Sequence, residues 1–181
     1  GFIWGKLFNR EFLIRNNLLL NDNLTAAEDA EFMLRTAFYA DRVSFVAKSL
    51  YNYLHNTVSA VRSFRTDYVE RYRKSLSVMY DFLVDNGLSK HLVTYDNCVL
   101  YHLLLIVVNY SFNPAREDTK KEQIAAFKKL VKDPFFANAM KSLRLKDFSM
   151  TRKITLICIK LKMYRMVRLI ALFRQKQTGT S

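Results

Sequence analysis

Ala27-Glu28-Asp29, followed after a short gap by Phe32, is the stretch whose residue types and spacing could do chemistry. Two adjacent carboxylates can divide labour. One accepts hydrogen bonds from backbone or solvent, while its neighbour points into a cleft and takes a proton as a general base. The same pair also suits a structural role, because acidic side chains at a helix start meet unpaired N–H groups and the positive end of the helix dipole. On spacing alone capping is the commoner use, since acidic first turns are frequent.

The surrounding elements must position these carboxylates. From Phe2 to Asn17, Leu7, Phe8, Phe12, Leu13 and Ile14 are interleaved with Lys6, Arg10, Glu11 and Arg15, which predicts one amphipathic helix ending at Asn16-Asn17. An Asn/Asp-studded connection covers Leu18 to Ala27. Phe32, Met33, Ala37 and Phe38 then recur at helical spacing and predict a second helix over Glu28 to Ala40. Val43-Ser44-Phe45-Val46 and Leu50-Tyr51-Asn52-Tyr53 switch to alternating β-branched and aromatic residues, the pattern of two short strands. Beyond Ser59 the periodicity is helical. Thr66 or Asp67 caps a helix that stops at Asn86-Gly87, and Ser89 caps one running to about Phe112, whose apolar stretch Val99 to Val108 is half the length of a membrane span and reads as core. A charged helix from about Asp118 to Lys132, a short one after Asp133-Pro134 and a long one from about Ser149 to Lys176 complete the chain.

Composition bounds the fold from the other side. Half of the 181 residues are apolar, and 2 Pro with 4 Gly are too few turn-formers for an all-β sandwich. Cys98 and Cys158 sit in apolar runs as small buried hydrophobes, so no disulfide framework is expected, and a reducing cytoplasmic setting follows. His91 reads as a loop or cap residue and His102 as core-facing. Aromatic residues over Asp67 to Phe112 fall at helical spacing and read as core too. The net charge of +13 is concentrated at one end, since Met150 to Ser181 holds eight basic residues and no acidic one. Such a tail points to an anionic membrane surface or nucleic acid, or serves solubility alone. Gly1-Phe2-Ile3-Trp4 is an apolar, uncapped opening that reads as the interior of a longer protein.

Four pieces in order carry a family resemblance over residues 1–62: Trp4-Gly5-Lys6-Leu7-Phe8-Asn9-Arg10-Glu11-Phe12; Glu28-Asp29-Ala30-Glu31-Phe32; Val43-Ser44-Phe45-Val46; and Leu50-Tyr51-Asn52-Tyr53 with Ser59. Together they resemble the C-terminal third of the catalytic domain in inverting family-two glycosyltransferases, bacterial enzymes of capsule, lipopolysaccharide and exopolysaccharide synthesis. The resemblance implies an α+β, mostly α chain: the end of a GT-A domain (two helices and two short strands) at 1–63, a helical extension at 64–148, and a basic helix and tail at 149–181. It implies that Asp29 is the general base, taking the proton of an acceptor hydroxyl as that oxygen attacks the anomeric carbon, with Glu28 supporting it or positioning the acceptor. Trp4, Lys6, Tyr53, Ser59 and Arg62 become candidate substrate-binding residues.

The family holds its nucleotide diphosphate through Mg or Mn on an Asp-x-Asp motif. No such motif occurs here, so the resemblance implies that the nucleotide-binding half lies upstream, that this piece alone carries no metal, and that it is inactive without its N-terminal half. Leu54 stands where many members have an Arg five residues before the Ser, which leaves His55 or Arg62 to meet the pyrophosphate; His55 is a candidate metal or phosphate ligand or else a loop residue. The expected partners are the missing half, a nucleotide sugar, a glycan or lipid-linked acceptor and an anionic membrane surface at the inner face of the plasma membrane. The basic residues Lys160, Lys162, Arg165 and Arg168 scatter round a helical wheel, so no clean membrane helix is read from them. The competing reading is a non-enzymatic helical module whose basic tail binds membrane or nucleic acid, nucleic acid being the less favoured ligand.

Overall fold

A cap or stop marks most of the helices. The computed structural model describes residues 3–52, 54 and 64–179, and among them the structure is helical with no strand. Two compact units divide the chain, one of Gly1–His55 with Glu70–Gly87 and one of Asn56–Val69 with Leu88–Ser181.

In the first unit, α1 is Arg10–Arg15 and not the whole of 2–17. Asn9 explains the late start: its side chain accepts the Phe12 N–H at 2.9 Å as an N-cap, and Gly5 upstream has φ 72°, outside any helix. α1 stops where expected. Asn17 takes the left-handed conformation (φ 49°), and the Asn17 and Leu18 amides donate to the Ile14 and Leu13 carbonyls at 3.1 and 2.9 Å, a Schellman stop. α2 spans Glu28–Tyr39. α3 spans Tyr68–Asp85 and ends at Gly87 (φ 65°), with Tyr72, Leu76, Met79 and Leu83 buried along one stripe. Phe38 of α2 meets Phe82 of α3 edge to face at 5.4 Å. The two expected strands are not formed. Val43 and Phe45 are 89 and 90 % exposed, because alternation favours a strand only where a neighbouring strand takes its amide hydrogen bonds, and no such neighbour exists among the described residues.

In the second unit, α4 (Leu92–Ile106) follows a 3₁₀ turn at Ser89–His91 and runs into one π-helical turn, Val107–Ser111. The 23-residue stretch Ser89–Ser111 contains an 18-residue window of mean hydropathy 1.4, long and apolar enough by composition to cross a membrane. In the fold it is the central helix, with Val99, Leu100, Leu103 and Ile106 no more than 1 % exposed. α5 (Lys120–Lys132) starts on a Thr119/Glu122 capping box, and α6 (Pro134–Lys141) on Asp133, whose Oδ1 accepts the Phe135 N–H at 3.0 Å. α6 packs on α4 and α5, and Phe127 joins Phe112 and Tyr164 in the core at 5.1 and 5.8 Å.

The long helix expected over Ser149 to Lys176 is two helices, α7 (Met150–Lys160) and α8 (Tyr164–Gly179). Lys162 breaks it. Its φ is 59°, and the Lys162 and Met163 amides donate to the Ile159 and Cys158 carbonyls at 3.0 and 2.8 Å, a second Schellman stop with lysine where glycine is usual. Glycine adopts this conformation without a Cβ penalty, so Lys162→Gly is expected to raise stability by about 1 kcal/mol, read as a higher urea midpoint. An unchanged or lower midpoint would show that the lysine is not strained there.

His102 is buried in α4 as expected, its Nδ1–H donating to the Cys98 carbonyl at 2.8 Å. Burial holds its pKa below the ordinary 6.5, the carbonyl contact opposing this only in part. The sign follows from linkage. The unfolded chain binds the proton more readily, so this contribution to stability is complete above pH 6.5 and is lost as pH falls from there through the lowered folded value. Melting temperature is expected to drop as pH is taken below 6.5, and His102→Gln to flatten that part of the profile. Burial also pushes the Cys98 thiol up to about 11, which keeps it protonated and a poor nucleophile.

Candidate active site at the start of helix α2

The connection before α2 is held by side chains from a distant part of the chain. Arg71 donates through Nε to the Thr25 hydroxyl at 2.6 Å and through Nη2 to the Thr25 carbonyl. Ser75, one turn further along α3, donates its hydroxyl to the Ala26 carbonyl. These contacts fix the backbone on the N-terminal side of Ala27, which has φ 56° and ψ 23°, a left-handed conformation that costs an alanine roughly 1–2 kcal/mol. A non-glycine residue stays there only where its surroundings over-determine it.

Glu28 and Asp29 follow at once, both half-buried. The Ala30 N–H donates to Asp29 Oδ1 at 2.7 Å, so one carboxylate oxygen is committed to the helix start. Asp29 Oδ2 carries no hydrogen bond among the described residues. α2 has no side-chain cap from its N-cap residue, and three acids, Glu28, Asp29 and Glu31, crowd its first turn. The pair therefore acts partly as the capping reading expects, through Asp29, and leaves Glu28 and one Asp29 oxygen uncommitted.

Glu31 is the acid that spacing arguments overlooked. It is 3 % exposed, and Arg35 grips both its oxygens, Nε to Oε1 at 2.6 Å and Nη2 to Oε2 at 2.9 Å. The same Nη2 donates to the Leu19 carbonyl at 2.7 Å, tying the start of the Leu18 to Ala27 connection to the middle of α2. An i, i+4 Glu to Arg pair was legible as a helical contact. Its burial and its reach to Leu19 were not, since both depend on the chain turning back. Arg71 and Ser75 left no signal at all, because their partners, the Thr25 hydroxyl and the Thr25 and Ala26 carbonyls, lie more than forty residues away.

No protein-family model, curated protein or solved structure matches the chain. The site rests on its geometry.

Of the other candidate residues, Trp4 is 45 % exposed and stacks on Tyr51 with ring centroids 5.7 Å apart and planes 20° from parallel. This brings the Trp-Gly-Lys segment to the first residues of the tyrosine-rich one, and Gly5 sits where a Cβ would lie 4.0 Å from Tyr51 Cβ. Lys6 is exposed, as is Leu54. Phe32 is buried and meets Phe8 edge to face at 5.5 Å, which makes it an anchor for α2 and not a contact for ligand. Tyr53, His55, Ser59 and Arg62 lie outside the described residues. Among the described residues no three His, Cys, Asp or Glu side chains are arranged so that they could hold a metal ion.

Proposed function

We propose that this chain is the base-bearing part of a nucleotide-sugar-dependent, inverting glycosyltransferase that acts on a glycan or lipid-linked acceptor hydroxyl. The single observation supporting this most directly is the strained turn at Ala27, clamped by Arg71 and Ser75, which delivers Glu28 and Asp29 on a rigid mount. Strain held in place by three hydrogen bonds from two side chains has a use where a carboxylate must keep one orientation. Asp29 fits the base: Oδ1 fixes the side chain by accepting the Ala30 N–H, and Oδ2 is left to receive the acceptor's proton. The acceptor oxygen then attacks the anomeric carbon as the nucleoside diphosphate departs from the opposite face. Glu28, next on the helix, orients the acceptor.

The unpaired, apolar segment from Val43 to Val46 fits the same reading, as residues of a GT-A sheet whose other strands come from preceding sequence. The nucleotide and its metal belong to that preceding part, where an Asp-x-Asp motif is expected. The test is a transfer assay on the protein expressed from its own start codon, with a panel of nucleotide sugars and a lipid-linked acceptor, scored by glycosylated product. Transfer by that protein and none by residues 1–181 alone supports the reading; a start codon at the beginning of this sequence and no turnover with any donor would end it.

A further inference from the structure

Eight apolar side chains on α7 and α8 and in the turn between them are exposed in a pattern that packing within the chain leaves unused. On α7, Met150, Ile154 and Ile157 recur every three or four residues and continue to Leu161 just beyond its end, at 71, 50, 39 and 63 % exposure; on α8, Met166, Leu169 and Phe173 do the same at 44, 57 and 63 %. The inward faces are separate. Leu156 and Ile159 on α7 and Val167 and Ala171 on α8 are buried, so each helix has one apolar stripe for the core and a second for something else. At about 100° per residue, Arg165 and Lys176 flank one side of the α8 stripe and Arg174 the other. The break at Lys162 places Arg165 beside the α8 stripe, whereas Arg168 lies away from it and donates through Nε to Gln123 Oε1 at 3.2 Å.

The stripes meet at a groove of about 840 Å³ between α4, α7 and α8, lined by Leu104, Val108, Ile154, Leu169 and Phe173 among others, with no carboxylate. Two guanidiniums stand at it, Arg152 and Arg174. Arg152 lies over the Tyr101 ring, 4.6 Å from its centroid. Burial, and after it the charge of Arg152, lower the pKa of Arg174, so the pair is like-charged and close enough to repel. Two guanidiniums beside an apolar groove are an arrangement that suits an anion with an apolar tail.

We propose that α7 and α8 dock on a bilayer containing anionic phospholipid, the exposed stripes lying in the headgroup layer and the groove seating an acyl chain whose phosphate meets Arg152 and Arg174. Charge complementarity selects this occupant. Met150 to Ser181 contains eight basic residues and no acid, and long basic stems beside exposed Met, Leu and Phe suit an interface that is apolar below and anionic above. Nucleic acid would use the charge and leave the apolar stripes in water. A second copy, equally basic, would bring like charge to like.

The inference is independent of the transferase reading and is tested on the 181-residue chain without any activity assay. Flotation with vesicles of phosphatidylcholine, alone or mixed with phosphatidylglycerol, is expected to show binding only to the mixture, weakening as salt is raised. Arg152→Gln with Arg174→Gln is expected to lower the partition coefficient about thirtyfold, and Leu169→Ser with Phe173→Ser about tenfold or more. Should loss of the Arg152 contact to Tyr101 disturb folding, Lys160→Gln with Arg165→Gln, both exposed, is expected to weaken binding by a similar factor at unchanged circular dichroism. Equal partition into neutral and mixed vesicles, no partition at low salt, or a dimer or RNA complex that the Leu169/Phe173 pair of changes abolishes in place of vesicle binding would each overturn the proposal.

Discussion

Asp29→Asn in the full-length protein is expected to lower sugar transfer by about a hundredfold to ten-thousandfold, the contribution of a general base, while helix content and melting temperature stay as they are. Asparagine has the shape of aspartate, and its Oδ1 still accepts the Ala30 N–H that fixes the side chain. Only the basicity is removed. On the proposed reading the acceptor hydroxyl would then keep its proton at the moment its oxygen must attack, and kcat is expected to fall with little change in donor KM. Glu28→Gln is expected to act mostly through the acceptor KM, because an orienting group binds ground state and transition state alike. Turnover within threefold of the parent for Asp29→Asn would remove this carboxylate from the chemistry and leave it as a helix cap.

Arg35→Met is expected to cost about 3 kcal/mol or more, the largest stability effect of any single change at the site. The methionine keeps the apolar stem, but Glu31, whose side chain is 4 % exposed, is left as a buried carboxylate with neither guanidinium nor compensating donor. The Leu19 carbonyl loses its partner as well. Replacing both members, Glu31→Leu with Arg35→Met, is expected to be less destabilising than Arg35→Met alone, because no charge is then stranded. Urea unfolding of the parent, the single and the double variant decides it. A single variant within 0.5 kcal/mol of the parent would mean that water reaches Glu31 and that the clamp on α2 is slack.

What could be read from the chain and what could not divides along the range of the interactions. Asn16-Asn17, Asn86-Gly87 and Asp133-Pro134 stop or start helices through their own backbone preferences and short side chains, and each marks the boundary it was expected to mark. Asn9 carries the same kind of signal, yet the apolar spacing before it drew the first helix too long. Lys162 carries none, because a left-handed lysine is held there by the packing of α7 and α8 and not by its own preference. The strands failed for a related reason. Val43 and Phe45 have the right alternation, but pairing depends on a partner that local sequence does not contain. At the candidate site, Glu28 and Asp29 were legible from their place at a helix start. The strain at Ala27 and its restraint by Arg71 and Ser75 were not, since a side-chain bond to a distant carbonyl leaves no periodicity behind.

The stack of Trp4 on Tyr51 places the chain's one tryptophan wholly within the first of the two units. Its emission is therefore a private gauge of that unit, blind to the larger helical one, whereas far-ultraviolet ellipticity is weighted towards the latter. Overlaying the two optical signals during denaturation would reveal whether the carboxylate mount and the basic helices come apart as a single cooperative block or melt on separate schedules.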